Sequence, residues 1–160
     1  MLNFSVWVDA DSFPAKARDF LVAHSLSKNV AVKFVANREL KLPDSMVEMI
    51  VCQKEHDAAD NYIFENAGEN DIVVTRDIPF AARLVQKNIA ALNDRGLIFT
   101  KDNIEDKLRE REFSLNMAEI GLGGGKSNYY GEKELKKFSV TFSEELQKHI
   151  IASIYNIKRR

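Results

Sequence analysis

The chain has 160 residues, of which 45% are hydrophobic, so it can form one domain with a buried core but not two comfortable ones. Its 23 basic and 24 acidic side chains give a formal net charge of -1, which excludes a global positive field that would attract a polyanion. One cysteine excludes a disulfide framework, no apolar run approaches a membrane span, and the N-terminus has no basic start, so we predict a cytoplasmic protein without a signal peptide.

Short apolar runs alternate with helix-forming segments over the first part of the chain. Strands are predicted over residues 4–8, 30–36, 49–52, 71–75 and 89–92. Helices are predicted over residues 15–26, 58–67 and 80–87, with a short helix or turn at Pro43 and Asp44. Because parallel neighbours cannot be joined by a tight turn, this alternation implies parallel pairing. It predicts an α/β domain with a mostly parallel sheet in the order 3-2-1-4-5.

The rest of the chain predicts an edge strand and C-terminal helices. Residues 97–100 form either an antiparallel hairpin partner or a loop. Residues 103–120 predict a helix against the sheet edge, with inward candidates Ile104, Leu108, Phe113, Met117 and Ile120. One or two helices are expected over 132–157, with an apolar stripe of Leu135, Phe138, Phe142, Leu146, Ile150 and Ile154. We predict a domain over residues 1–120 and, over 121–160, a glycine-rich tether and helical extension of the same domain.

Four aspartates stand where predicted strands give way to helices. Asp9 and Asp11 follow the first strand, Asp77 follows the fourth, and Asp60 lies early in the helix after the third. In an open parallel sheet, the site lies beyond the carboxyl ends of the strands, at the point where the strand order reverses. We therefore expect these carboxylates to line one crevice, with Asp57 one turn from Asp60 on the same helix face.

Carboxylates crowded in this way require protons or a cation. Two of them about 4 Å apart repel by about 4 kcal/mol at an effective dielectric near 20. An all-oxygen ligand set favours Mg²⁺ or Mn²⁺, and the chain has no cysteine or histidine cluster that would suit zinc. Such an ion would lower the pKa of a bound water for in-line attack on a phosphodiester. The predicted catalytic and metal-binding residues are Asp9, Asp11, Asp60 and Asp77.

The strand ends also offer side chains for a phosphate. The predicted substrate contacts are Asn37, Arg76, Asn93 and Arg95. The asparagines could equally form turns, and each arginine could instead pair with a carboxylate. The acids have structural alternatives as well, because Asp11, Asp57 and Asp77 could cap helices or turns and Asp60 could favour the positive end of a helix dipole.

Several short motifs are spread over almost the whole chain. They are Trp-Val-Asp-Ala-Asp at 7–11 with Pro14, Val-Ala-Asn at 35–37, Asp-Ala-Ala-Asp-Asn at 57–61, Asp-Ile-Val-Val-Thr at 71–75 with Asp-Ile-Pro at 77–79, and Ala-Leu-Asn-Asp-Arg-Gly at 91–96. In these motifs the chain resembles the YaiI/YqxD-like family of uncharacterised bacterial proteins, which is grouped with the PIN-like nuclease domains. The resemblance implies a PIN-like three-layer sandwich with an acidic cleft like that of metal-dependent ribonucleases, and RNA rather than DNA as substrate. The chain departs from the family at 123–132, where it lacks the usual proline after the glycine pair.

Two other functions compete with a nuclease. The strand ending in Asp9-Ala10-Asp11 also resembles the opening motif of haloacid-dehalogenase-type phosphatases, with Asp9 as nucleophile and Thr75 as phosphate binder. Against this, Phe13 occupies the place where that motif prefers threonine or valine, and no later paired-aspartate motif follows. The third hypothesis is a non-catalytic module that binds RNA or a protein partner.

The remaining motifs are given structural interpretations. Residues 121–127 are predicted to be a flexible tether, because Ile120 stands where a phosphate-binding loop needs glycine. The basic residues at 136–137 and 158–160 could guide a polynucleotide, but solvated faces and tails are favoured. The three histidines show no ligand spacing and are interpreted as core or surface residues, although His56 could approach the cleft.

Overall fold

A computed structural model of the chain describes residues 1–123 and 129–156. The strands are β1 (Ser5–Asp9), β2 (Ala31–Ala36), β3 (Glu48–Val51), β4 (Ile72–Val74), β5 (Ala90–Leu92) and β6 (Ile98–Phe99). The helices are α1 (Ala15–Ser27), α2 (Ala58–Asn66), α3 (Ile78–Gln86), α4 (Ile104–Glu119) and α5 (Glu132–Tyr155). Most of the predicted glycine-rich tether and the basic tail 158–160 lie outside the described residues. Within those residues, none of the helices has the length and apolarity that crossing a bilayer requires.

The strands form one sheet in the order β3-β2-β1-β4-β5-β6. The first five strands pair in parallel, and β6 pairs antiparallel with β5. The predicted α/β fold and strand order are therefore confirmed, and residues 97–100 supply the antiparallel edge strand. The order reverses between β1 and β4, because the chain builds β2 and β3 on one side before it crosses to β4 on the other. This reversal opens a crevice at the carboxyl ends of those two strands.

Helices cover both faces of the sheet, as expected of a three-layer sandwich. Side chains alternate between the faces along β1, so that Val6 and Val8 point to one core and Trp7 to the other. The first core lies under α1 and α5, where Phe138 and Phe142 are fully buried. The second core lies under α2, α3 and the start of α4. The strands that border the crevice are therefore held by helices packed on both faces of the sheet.

The C-terminal ends of α4 and α5 depart from the predicted burial. Ile104 is buried, but Phe113 and Ile120 are 63% and 64% exposed, so their predicted inward orientation is wrong. The helix packs chiefly against α3, and the 9 residues of α3 span roughly 13 Å whereas the 16 residues of α4 span roughly 24 Å. The second half of α4 therefore extends past its partner. Ile154 near the end of α5 is likewise 62% exposed, whereas Phe138 to Ile150 of the predicted stripe are buried.

The loop between β5 and β6 is held against the start of α5. Gly96 has a φ of 80°, and a Cβ at this position would lie 2.5 Å from the Lys137 carbonyl oxygen, so the close approach requires glycine. The Thr141 hydroxyl donates a hydrogen bond to the Gly96 carbonyl (3.0 Å). The Tyr130 hydroxyl donates one to the Asp94 carbonyl (2.7 Å). The C-terminal helix therefore fixes the backbone that follows β5.

Candidate metal centre

A cavity of about 440 Å³ opens at the carboxyl ends of β1 and β4, where the strand order reverses. The sequence-predicted residues that line it are Asp9, Asp11, Asp60, Asp77, Asn37 and Arg76. The structure thus brings the four aspartates together from three separate parts of the chain. Asp57 and His56 also line the cavity.

Asp9 ends β1 and is oriented by a threonine from the neighbouring strand. The Thr75 hydroxyl donates a hydrogen bond to Asp9 Oδ2 (2.9 Å), and the same hydroxyl accepts one from the Asp77 backbone N–H (3.1 Å). Thr75 is only 1% exposed. This buried hydroxyl therefore fixes Asp9 relative to the backbone that carries Asp77.

Asp77 has the capping role that the sequence left open, and it also lines the cavity. It is the N-cap of α3, where its Oδ1 accepts a hydrogen bond from the Phe80 backbone N–H (2.9 Å). A proline in the first turn matches the same helix start. The capping bond uses Oδ1, and the Asp77 carboxylate also interacts with the Asp60 side chain in the cavity.

Asp57 joins the acidic cluster instead of capping α2 through its side chain. It occupies the N-cap position with a φ of 67°, but its side chain makes no capping hydrogen bond, so the predicted capping role is wrong in that respect. One carboxylate oxygen from each of Asp57, Asp60 and Asp77 lies within 4.8 Å of the other two. Sequence reasoning left Asp57 out of the predicted ligands, although its three-residue spacing from Asp60 was the signal that could have included it.

Asp11 links two of the loops that border the cavity. Its Oδ1 accepts a hydrogen bond from the Asn37 backbone N–H (2.9 Å), which joins the segment after β1 to the segment after β2. Pro14 is the N-cap of α1, so the alternative of Asp11 as a helix cap is wrong. Asp11 is exposed, and its negative charge contributes to the raised pKa of Asp9.

Asp60 is the most buried acid of the cluster, with 8% exposure. Burial and the neighbouring carboxylates of Asp9 and Asp77 raise the pKa of Asp60 from its usual 3.8 to about 8. Burial also raises the pKa of Asp9, and hydrogen bonds from Thr75 and Asp60 oppose that rise. In the part of the chain that the structure describes, Asp9, Asp60 and Asp77 form no ion pair with a basic side chain. Without a bound cation, the repulsion between these carboxylates is therefore reduced by protonation.

The stability of the metal-free protein should therefore fall as the pH rises from 6.5 to 8. In this window the folded state keeps a proton on Asp60 that the unfolded state has already lost, so raising the pH favours unfolding. The lowered pKa of His24, caused by burial, opposes this trend only near the lower end of the window, where the unfolded state still holds part of a proton on this histidine. Calorimetric melting in the presence of EDTA measures the effect. A melting temperature that rises with pH would contradict the assignment.

The other two predicted substrate contacts lie outside the cavity. Asn93 forms a turn, since its Oδ1 accepts hydrogen bonds from the backbone N–H groups of Arg95 and Leu97, both at 2.9 Å. The Arg95 guanidinium donates to the Tyr129 carbonyl (3.0 Å) and lies 3.8 Å from Glu134 Oε1. Both side chains hold the loop after β5 in place. The residue types alone could not distinguish this structural role from contact with a substrate.

The histidines follow their predicted positions. His149 is buried, with its Nδ1 2.7 Å from the Asn70 carbonyl, and half-buried His24 stacks on Phe20. His56 reaches the cavity, where its Nδ1 lies 3.0 Å from Asp57 Oδ2. A protonated His56 would compete with a metal ion for this carboxylate.

Comparison with known proteins shows the family that the chain matches. The family described as "Uncharacterized BCR, YaiI/YqxD family" matches residues 7–148. A UPF0178 protein of Treponema denticola is 43% identical over 134 residues, which are 84% of this chain and 86% of that protein. A UPF0178 protein of Psychromonas ingrahamii is 37% identical over 145 residues, which are 90% and 96% of the two chains. No solved structure gives a significant match to the chain.

Proposed function

This chain belongs to the YaiI/YqxD family of uncharacterised bacterial proteins, and we propose that it is a divalent-metal-dependent phosphodiesterase that hydrolyses RNA. The observation that carries the proposal is the approach of carboxylate oxygens from Asp57, Asp60 and Asp77 to within 4.8 Å of one another in a cavity. The grouping of the family that these motifs resemble with the PIN-like nuclease domains supports the same activity. It is also the reason for choosing RNA over DNA.

The donor set fits a hard cation. Oxygen ligands of Mg²⁺ stand roughly 3 Å apart when adjacent and roughly 4.2 Å apart when opposite, so three carboxylate oxygens that lie within 4.8 Å of one another would move closer together to share an ion. Asp60 is more than nine-tenths buried and faces other acids, which is costly for a carboxylate without a cation. Asp57, Asp60 and Asp77 would hold Mg²⁺ or Mn²⁺, together with Asp9. Asp11, which is already bonded to the loop after β2, would take part directly or through a water.

Each residue has a defined task in hydrolysis. When bound, the divalent ion would polarise a phosphodiester oxygen and lower the pKa of a coordinated water. The Thr75 hydroxyl holds the Asp9 carboxylate at the cavity, and Asp77 keeps its position through the N-cap of α3. Asn37 lines the cavity and would orient water or phosphate, while Arg76 would contact the phosphate. Direct attack by water needs no covalent intermediate.

The position of Thr75 favours a nuclease over a haloacid-dehalogenase-like phosphatase. The phosphatase hypothesis needs this hydroxyl to bind phosphate beside the nucleophile Asp9. The hydroxyl instead donates to Asp9 and accepts from the Asp77 backbone, and the residue is almost fully buried. Binding phosphate there would break contacts that hold two of the proposed ligands.

Titration calorimetry with Mn²⁺ at pH 7 tests the proposal. We expect binding accompanied by proton release, because Asp60 must lose its proton to become a ligand. The apparent enthalpy should therefore change between two buffers of different ionisation enthalpy. The protein should also cleave single-stranded RNA in Mn²⁺ and stop in EDTA. Absence of any binding heat would overturn the proposal, and binding without cleavage would assign the non-catalytic module instead.

A further inference from the structure

Arg76 lines the acidic cavity but does not pair with the acids that form the proposed metal site. Its Nε lies 3.5 Å from Asp94 Oδ2, on the loop after β5. Its Nη1 donates a long hydrogen bond of 3.4 Å to the Ser12 carbonyl. The guanidinium is thus held between two loops at the rim, and its charge does not neutralise the cluster.

Asp94 is an unusual residue for a loop, because it is only 2% exposed. Within residues 1–123 and 129–156, its buried Oδ2 has no hydrogen-bond partner, so the nearby Arg76 is its main compensation. A buried carboxylate is costly unless it is paired, which indicates that the position serves another group. The backbone of Asp94 is fixed by Tyr130, and the next residues are fixed by α5. Asp94 is therefore a rigid anchor beside the cavity.

The arrangement leaves donors of Arg76 unused. A guanidinium carries five N–H groups, of which one on Nε faces Asp94 and one on Nη1 faces Ser12. The side chain is 39% exposed and lines the cavity, so the N–H groups that make neither contact are available to a ligand there. Their planar fork matches the oxygens of a phosphate.

We propose that Asp94 is a positioning residue that holds Arg76 at the cavity rim, where its free N–H groups bind a phosphate of a polynucleotide next to the metal site. The inference rests on the proposed function, and it names the chemistry by which the same cavity binds its substrate. Asp94 acts only through Arg76 and touches neither the substrate nor the ion. Sequence reasoning had assigned no role to Asp94, since its neighbours Asn93 and Arg95 were the predicted contacts.

A double-mutant cycle tests the inference. The probe is a fluorescein-labelled, cleavage-resistant phosphorothioate oligoribonucleotide, measured by anisotropy in Mn²⁺. We expect Arg76→Ala to weaken binding by about tenfold or more, as for loss of a charge-assisted contact. Asp94→Asn should weaken it as well, but it should cause no further loss in the Arg76→Ala background. Arg109→Ala, on the exposed face of α4, is the matched control and should leave the affinity unchanged.

Two further readouts separate this role from a structural one. Loss of a phosphate contact should lower the salt dependence of binding by about one unit of slope in Arg76→Ala, which a merely structural residue would not do. The Mn²⁺ affinity should stay within about twofold of wild type, since neither residue is a proposed ligand. Additive losses in the cycle would overturn the inference. If Asp94→Asn does not fold, an unchanged salt slope in Arg76→Ala overturns it. If the wild-type protein binds Mn²⁺ but not the oligoribonucleotide, the inference about Asp94 and Arg76 is overturned and the proposed metal site is retained. If the protein does not bind Mn²⁺, both the inference and the proposed function are overturned.

Discussion

The Asp60→Asn variant is expected to be more stable than wild type without metal at pH 8, and to have lost Mn²⁺-dependent RNA cleavage. The amide removes a buried charge that Asp9 and Asp77 oppose, so the folded state gains stability where wild-type Asp60 is partly ionised. The same change removes a proposed ligand. Replacement of outer partners of metal sites costs about 10–100-fold, so we expect a loss of more than about a hundredfold here. Melting in EDTA and cleavage rates in Mn²⁺ measure the two effects.

A gain in stability together with a loss of cleavage distinguishes this result from simple damage to the fold. Asp19→Asn is the matched control, because Asp19 is an exposed acid on α1 outside the cavity, and it should change neither quantity. A variant of Asp60 that is less stable than wild type at pH 8 would show that the carboxylate serves the fold. Undiminished cleavage would show that it is not a ligand.

Phe138→Ala is expected to lower the free energy of unfolding by about 3–5 kcal/mol, a larger loss of stability than in any of the other proposed variants. The ring is fully buried between the sheet and α1, stacks on Phe142 at 5.5 Å between centroids, and meets Phe13 and Phe20 edge-on. Alanine would leave a cavity that these aromatic neighbours can fill only partly. Urea denaturation followed by circular dichroism gives the difference.

Phe113→Ala is the control for this prediction, because it removes the same ring from a position that is 63% exposed. Its effect should stay within about 0.5 kcal/mol. Equal losses for the two variants would mean that the second half of α4 is covered by a partner in solution. A small loss for Phe138→Ala would mean that α5 does not contribute to the cooperative core.

The sequence predicts best those features that depend on periodicity and topology. Nearly continuous apolar runs such as residues 30–36 indicate buried parallel strands, and the reversal of strand order then brings Asp9 and Asp77 to one edge. Features that depend on how far a neighbouring element extends are not predictable in this way. Phe113 has helical spacing for burial, but α3 is too short to cover it.

Contacts between residues distant in sequence are the other feature that local sequence patterns do not predict. Asp57 and Asp77 both occupy N-cap positions, yet only Asp77 caps through its side chain, because Asp57 adopts a left-handed backbone. Asp94 lies in a motif that predicts a turn, yet it is buried, and its backbone is fixed by Tyr130, which comes 36 residues later. Local pattern could not separate these cases, since each is decided by contacts distant in sequence.

The packing of α5 against the first core has a consequence for synthesis. Phe138, Phe142 and Leu146 complete a face of the sheet whose strands leave the ribosome earlier, so that face stays uncovered until the helix emerges. Asp94 gains its support from Tyr130 at the same late stage. A nascent chain would therefore carry the acidic residues before Asp94, and with it Arg76, is fixed at the rim of the cavity.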